Sequence, residues 1–169
     1  MQRVQQAQQA RQAQEMNNNR QAVTAVALDP RLSVVVEACA GSGKTWLLVS
    51  RVLRLLLAGA APSSILAITF TRKAAQEMQE RLMQWLELLA TARDADVREF
   101  LRQRAMSDVE ITAAMPLARQ LFTQVAFASP GIAVSTFHGW FQQLLSAAPI
   151  GMGMSDTTPA NRGTPGRNP

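Results

Sequence analysis

The segment Ala38-Cys-Ala-Gly-Ser-Gly-Lys-Thr45 holds residue types that grip a polyphosphate. The general phosphate-loop pattern is G-x-x-x-x-G-K-[ST]. Ala38 stands at the first glycine position, and Gly43, Lys44 and Thr45 match. Such a loop turns successive backbone N–H groups inward onto phosphate oxygens. Gly41 and Gly43 permit the backbone angles and the close approach. A helix starting near Lys44 adds the positive end of its dipole. In ATP or a similar nucleotide the Lys44 ammonium would reach the β and γ phosphates, and the Thr45 hydroxyl would coordinate Mg²⁺. Ala40 and Ser42 complete the loop, and Cys39 reads as a small filler without a redox role. Lys44 is one of two lysines, the other being Lys73, against 15 arginines.

Two further segments carry chemistry. Thr69-Phe-Thr-Arg-Lys73 sets an aromatic ring between hydroxyls and beside two cations. Stacking plus backbone contacts of that kind suit single-stranded nucleic acid. Phe70 reads equally well as a core aromatic. Arg72 and Lys73 read alternatively as a solvated helix start, although cations are disfavoured at that end. Thr136 and His138 form the second segment, and His138 also fits a structural hydrogen bond near a helix start. His138 is the only histidine and Cys39 the only cysteine, which leaves no clustered His/Cys metal site.

These residues need elements to hold them. Ser33-Val-Val-Val-Glu-Ala38 is a β-branched run of the kind found in buried parallel strands. Thr45 to Ala58 reads as an apolar helix with Gly59 at its stop. Ile65 to Phe70 reads as a second strand. Arg72 to Ala90 reads as a helix, with Ala75, Met78, Leu82, Trp85 and Leu89 at three- and four-residue spacing. Asp94 to Arg104 is expected to be helical with Val97, Phe100 and Leu101 inward. Ser107-Asp-Val-Glu110 reads as a capping box opening a short helix. Pro116 is expected in the first turn of the next helix, which runs to Ala128. Pro130-Gly131 reads as a turn, Ile132 to Thr136 as a third strand, and Gly139 to Ala147 as a final helix. Strands alternating with helices imply an α/β fold, a parallel sheet with helices on both faces. The carboxyl ends of such strands are where ligands bind, and Thr69, Phe70 and Thr71 lie at one such end, with the second motif expected at the end of a neighbouring strand.

Length and composition set the outer bounds. The chain has 169 residues, 47% of them hydrophobic, enough for one core. Its formal net charge of +5 permits a polyanionic partner. One cysteine excludes an internal disulfide framework and fits a reducing compartment. No apolar run approaches the ~18 residues of a membrane span, and the first residues lack an apolar signal core. A cytoplasmic protein is expected. Residues 1–20 form a Gln-rich polar extension expected to be a solvated helix, 21–150 a domain, and 151–169 a Gly- and Pro-rich tail expected to be disordered.

Three blocks together carry a resemblance. Asn19-Arg-Gln-Ala-Val23 precedes the loop, Ala67 to Leu82 follows the second strand, and Val134 to Leu145 closes the third. With the loop they resemble the opening motifs of UvrD/Rep-type superfamily 1 DNA helicases, most of all the AddA/RecB-like repair branch. The resemblance covers about residues 19 to 150. It implies a P-loop NTPase fold, a RecA-like motor domain, and an ATP-dependent helicase acting on single-stranded DNA, with a nuclease or helicase partner subunit. By position, Gln21 matches the glutamine that reads adenine, and Gly41 to Thr45 match the triphosphate and Mg²⁺ loop. Thr69, Phe70, Thr71, Arg72 and Lys73 match one strand-contacting motif; Thr136 and His138 match another. Arg72 stands where many relatives carry Asn.

The resemblance also implies residues that this sequence lacks. Hydrolysis calls for an acid at a strand end to hold Mg²⁺ and a group to orient water; in the family these are an adjacent Asp-Glu pair. No two acidic residues are adjacent in the sequence. The expectation is an incomplete motor domain, an amino-terminal fragment, with the tail fitting either a shifted reading frame or a linker. Two other readings stay open: a non-catalytic ATP- or DNA-binding module or inert product, and a small nucleotide kinase, whose arginine lid the dispersed arginines do not display in sequence.

Overall fold

A computed structural model of the chain describes residues 2–37, 41 and 43–147. Ala38, Cys39, Ala40, Ser42 and the tail from 148 onward lie outside the described residues, so the expectations placed on them have no structural counterpart.

The Gln-rich start is helical, as its composition favours. Helix α1 spans Gln2–Leu28 without a break at residues 20 and 21. Along residues 11–22 it is exposed, and its burial is concentrated at the end, where Ala27 and Leu28 enter the core. There Arg51 donates to the carbonyls of Ala27 at 2.8 Å and Asp29 at 3.1 Å, and to that of Leu32. In the turn that follows, Arg31 donates its backbone N–H and its guanidinium to Asp29. These hydrogen bonds hold the Asp29 carboxyl below the ordinary carboxylate range.

The expected first strand is not one. Ser33 to Glu37 has no ladder partner; Val35 is 92% exposed. Arg51 provides a physical reason, because it ties the chain just before this run to the next helix rather than to the sheet. That helix, α2, spans Lys44–Leu57 and buries Val49, Val52, Leu53, Leu56 and Leu57. Gly59, at φ 91°, ends it with the left-handed turn that glycine adopts without strain.

Strand β1 (Leu66–Thr69) pairs in parallel with β2 (Ala133–Thr136), with Leu66 opposite Ala133 and Thr69 opposite Thr136. Three strands were expected; the sheet among the described residues has two. Ala67 and Val134 face the core, whereas Leu66 and Ile68 on the other face are 44% and 41% exposed. Full cover of both faces is therefore corrected to cover of one.

The crossover between the strands is helical. Helix α3 spans Arg72–Thr91 and is capped by Thr71, whose hydroxyl oxygen accepts from the Ala74 N–H at 3.1 Å. Its buried stripe is Ala75, Met78, Leu82, Leu86 and Leu89, with Trp85 half-buried beside it. Helix α4 (Asp94–Arg102) buries Val97 and Leu101. The capping box at Ser107 is present and opens α5, Asp108–Ala126. Pro116 lies inside α5 instead of starting a separate helix. A proline there removes one N–H donor, yet Ile111, Ala114, Ala118 and Leu121 continue one buried face past it, and that packing outweighs the lost bond. Helix α6 spans Phe137–Ala147. Arg119 joins the crossover internally, donating to the Leu89 carbonyl at 2.7 Å and pairing with Asp94.

Candidate nucleotide and nucleic-acid site

Helix α2 begins at a backbone suited to an anion. Gly43 precedes it at φ 85°, Gly41 lies at φ 77°, and a Cβ added to either would meet nothing within 4 Å. The first intrahelical bond runs from the Leu47 N–H to the Gly43 carbonyl at 3.0 Å, and no side chain caps the end. Uncapped helix starts preceded by glycine are a common setting for anion binding, because their backbone N–H groups lack intrahelical partners. Lys44 follows immediately, exposed, with Thr45 half-buried next to it.

The structure brings Gln21 to the same place. Gln21, Asn19, Glu37, Gly43, Lys44 and Trp46 line one open cavity of about 1360 Å³. Gln21 lies in α1 and Lys44 in α2, so the bend at Asp29 and Arg51 sets their meeting. These residues fit a nucleotide in kind: a helix start with its glycine, an ammonium and an amide line one cavity. Thr45, the residue expected to hold Mg²⁺, is not among the residues that line the cavity, and Glu37 is the acid that lines it. No group of three or more His, Cys, Asp or Glu able to hold a metal occurs among the described residues.

The second group of residues gathers at the carboxyl ends of β1 and β2. A cleft of about 460 Å³ lies there, lined by Arg72, Gln76, Gln79, Ser135, Thr136 and Gly139 among others. Arg72 and Thr136 thus share it. Thr69 pairs with Thr136 at the strand ends. Phe70 is 97% exposed, which removes the core-aromatic reading and leaves a ring face open for stacking. Lys73 is exposed and 4.0 Å from Glu77. The Thr136 hydroxyl accepts from the Gly139 N–H at 3.1 Å, as a helix cap does. His138, exposed, lies edge-on to the Phe137 ring with centroids 6.4 Å apart. Thr69, Phe70, Thr71, Lys73 and His138 do not line the cleft itself.

Several lining residues escaped the sequence reading. Gln76 and Gln79 fall four and seven positions after Arg72, so helical spacing put them on its face. Arg102 and Gln103 line the first cavity with Ala105. They come from the end of α4 and the turn that follows it, and no local pattern signals so distant a contact.

The profile of the UvrD/REP helicase N-terminal domain matches residues 16–157. The chain belongs to that family. Similar proteins share a name, that of a subunit of an ATP-dependent helicase/nuclease. The protein of that name from Lactobacillus gasseri is 54% identical over 56 residues, 33% of this chain and 5% of the relative. The Streptococcus agalactiae serotype Ia protein is 45% identical over 73 residues, 43% and 6% respectively. The one from Latilactobacillus sakei is 30% identical over 131 residues, 73% and 12%. This chain therefore spans a small part of the curated relatives it matches. The helicase family and a helix-rich chain with a small parallel sheet agree with the resemblance read from the motifs. No described helix is long and apolar enough to cross a membrane.

Proposed function

We propose that this chain is the nucleotide-gripping and strand-contacting part of an ATP-dependent DNA helicase of the repair type. The observation that carries the reading is the meeting of Gln21, Gly43 and Lys44 in one cavity, with a second cleft at the ends of the parallel strands. The family match and the name of the relatives support it, and they weigh against the kinase alternative. Gln21 would contact the base; Gly41, Ser42 and Gly43 with the neighbouring Ala38, Cys39 and Ala40 would wrap the phosphates. Lys44 would neutralise the β and γ oxygens, and Thr45 would hold Mg²⁺, which supplies charge stabilisation at the phosphates. Thr69 to Lys73, Thr136 and His138 would track single-stranded DNA. A partner protein of the nuclease or helicase type is part of the reading. Within it, residues 21–150 form the partial ATP-binding domain.

Alone, the chain is expected to bind ATP without helicase-like turnover. Lys44 and Thr45 build one side of the cage around the γ-phosphate, and the sequence holds no adjacent acid pair to orient water. The test is titration with a fluorescent ATP analogue and Mg²⁺, alongside phosphate release with single-stranded DNA. Wild type should bind, and Lys44→Ala should weaken binding by about tenfold or more, since a charge-assisted contact is lost. Equal affinities would remove Lys44 from the site. DNA-stimulated release abolished by Lys44→Ala would show that the chain is catalytically complete.

A further inference from the structure

Arg104 is the one fully stacked cation among the described residues. It is 2% exposed. Its guanidinium carbon lies 3.3 Å from the Phe100 ring centroid, 4.0 Å from that of Trp85 and 5.5 Å from that of Trp46. Trp85 and Phe100 meet edge to face at 5.6 Å. One guanidinium N–H donates to the Phe100 carbonyl at 2.7 Å, while Nε has no partner. Burial pushes the group down to about 9, which leaves it a cation at neutral pH. No carboxylate pairs with Arg104 among the described ion pairs, so the aromatic faces and one carbonyl hold the charge.

The three rings come from three elements: Trp46 from the first turn of α2, Trp85 from α3, Phe100 from α4. Trp46 lies two residues after Lys44 and lines the nucleotide cavity; Arg102, Gln103 and Ala105, which flank Arg104, line the same cavity. Ala105 sits at φ 56°, a left-handed conformation that costs a non-glycine residue energy and that the surroundings must hold. Arg54 of α2 does part of this, donating to the carbonyls of Arg104 at 3.2 Å and Ala105 at 2.9 Å and pairing with Glu110 at 3.1 Å.

We infer that Arg104 is a positioning residue for the phosphate-gripping end of α2: through Trp46 it locks the α4–α5 turn to the residues beside Lys44, and so fixes one wall of the nucleotide cavity. Its link to nucleotide rests on the function proposed above; its mechanical link to α2 does not. A buried arginine serving only the core would have no reason to touch a ring on the cavity wall, whereas this one bridges that ring to the turn that forms the rest of the wall.

The experiment is hydrogen exchange of the full chain, read at residues 44–48 and 102–106, with α3 and α5 as internal controls, and analogue affinity measured on the same samples. Arg104→Met should raise exchange at both segments by about tenfold, leave α3 and α5 unchanged, and weaken analogue binding by about tenfold. Arg104→Lys keeps the charge but not the planar stack and should recover part of both losses. Trp46→Ala, which removes a single ring and leaves the Arg104 stack on Trp85 and Phe100, should loosen residues 102–106 selectively, and it serves if Arg104→Met fails to fold. Uniform loosening of the whole chain, or no change at 44–48 with Arg104→Met and none at 102–106 with Trp46→Ala, would overturn the inference. If wild type binds no analogue, the proposed function fails while the exchange pattern still decides the role of Arg104.

Discussion

The helical block around Arg54 and Arg104 and the two-stranded ladder of β1 and β2 belong to one chain but are stabilised differently. In the block, α2, α3, α4 and α5 enclose Leu53, Leu86, Leu89, Val97, Leu101 and Ile111, all essentially sealed from solvent. Its buried cations, Arg54 and Arg104, are held by carbonyls, aromatic rings and the Glu110 carboxylate, while Arg104 Nε has no hydrogen-bond partner. The ladder buries one face through Ala67 and Val134 and leaves Leu66 and Ile68 on the other side largely in solvent. The two candidate sites divide between them: the glycine turn proposed to hold phosphate starts α2, and the residues proposed to contact DNA lie at the carboxyl ends of the ladder.

The sharpest way to break that contrast is a matched pair of truncations. Leu53→Ala should cost about 2–5 kcal/mol, because a sealed side chain leaves a cavity that helices on all sides cannot fill. Ile68→Ala, on the open face, should cost about 1 kcal/mol or less. Urea denaturation of the two variants gives the comparison directly. Equal costs would mean that something covers the open face in solution, and the ladder would then belong to the packed region after all.

A smaller effect tests the cap that ties α5 to α2. Ser107→Ala should lose about 1 kcal/mol, the usual worth of an N-cap. Glu110 accepts from the Ser107 N–H at 2.7 Å and pairs with Arg54, and its carboxyl is held below its ordinary value first by that backbone hydrogen bond. A carboxyl whose folded pKa is depressed contributes stability above its unfolded pKa and loses it as pH falls through the folded one. The stability gap between wild type and Glu110→Gln should therefore be full near pH 6 and shrink below the ordinary value of 4.5. A gap that stayed constant into acid would show that the charge on Glu110 contributes nothing to the block.

What the sequence disclosed follows the same division. Helix α3 was legible because its stripe repeats every three or four residues, and α5 because a capping box is a local device. Gly59 marked the end of α2 for the same local reason. The turn before α2 was legible because a positive φ at Gly41 and Gly43 is a local demand on residue type. Ser33 to Glu37 misled, since a β-branched run shows preference for extension but not whether a neighbouring strand exists to pair with it. Pro116 misled because packing along a buried face outweighed a local rule. The Arg104 stack could not be read at all: Trp46, Trp85 and Phe100 are far apart in sequence, and only the crossing of three helices brings them onto one guanidinium.

The last prediction has the smallest effect on stability and separates site from scaffold. Phe70 follows β1 at the carboxyl end of the ladder and is 97% exposed, with Thr71 capping the helix that begins beside it. Removing so exposed a ring takes no packing from the core, so Phe70→Ala should leave stability within about 0.5 kcal/mol of wild type. If the ring is a stacking platform, its loss should weaken single-stranded DNA binding by about 1–3 kcal/mol. Few cations surround it, Arg72 and Lys73 foremost, so the affinity should be modest and should fall as salt rises, with a shallow slope. Fluorescence anisotropy with a labelled oligonucleotide at two salt concentrations, beside a urea curve for the same variant, measures both quantities. Loss of stability without loss of binding would make Phe70 part of the scaffold; loss of binding alone assigns it to the DNA and keeps the strand ends as the functional edge of the molecule.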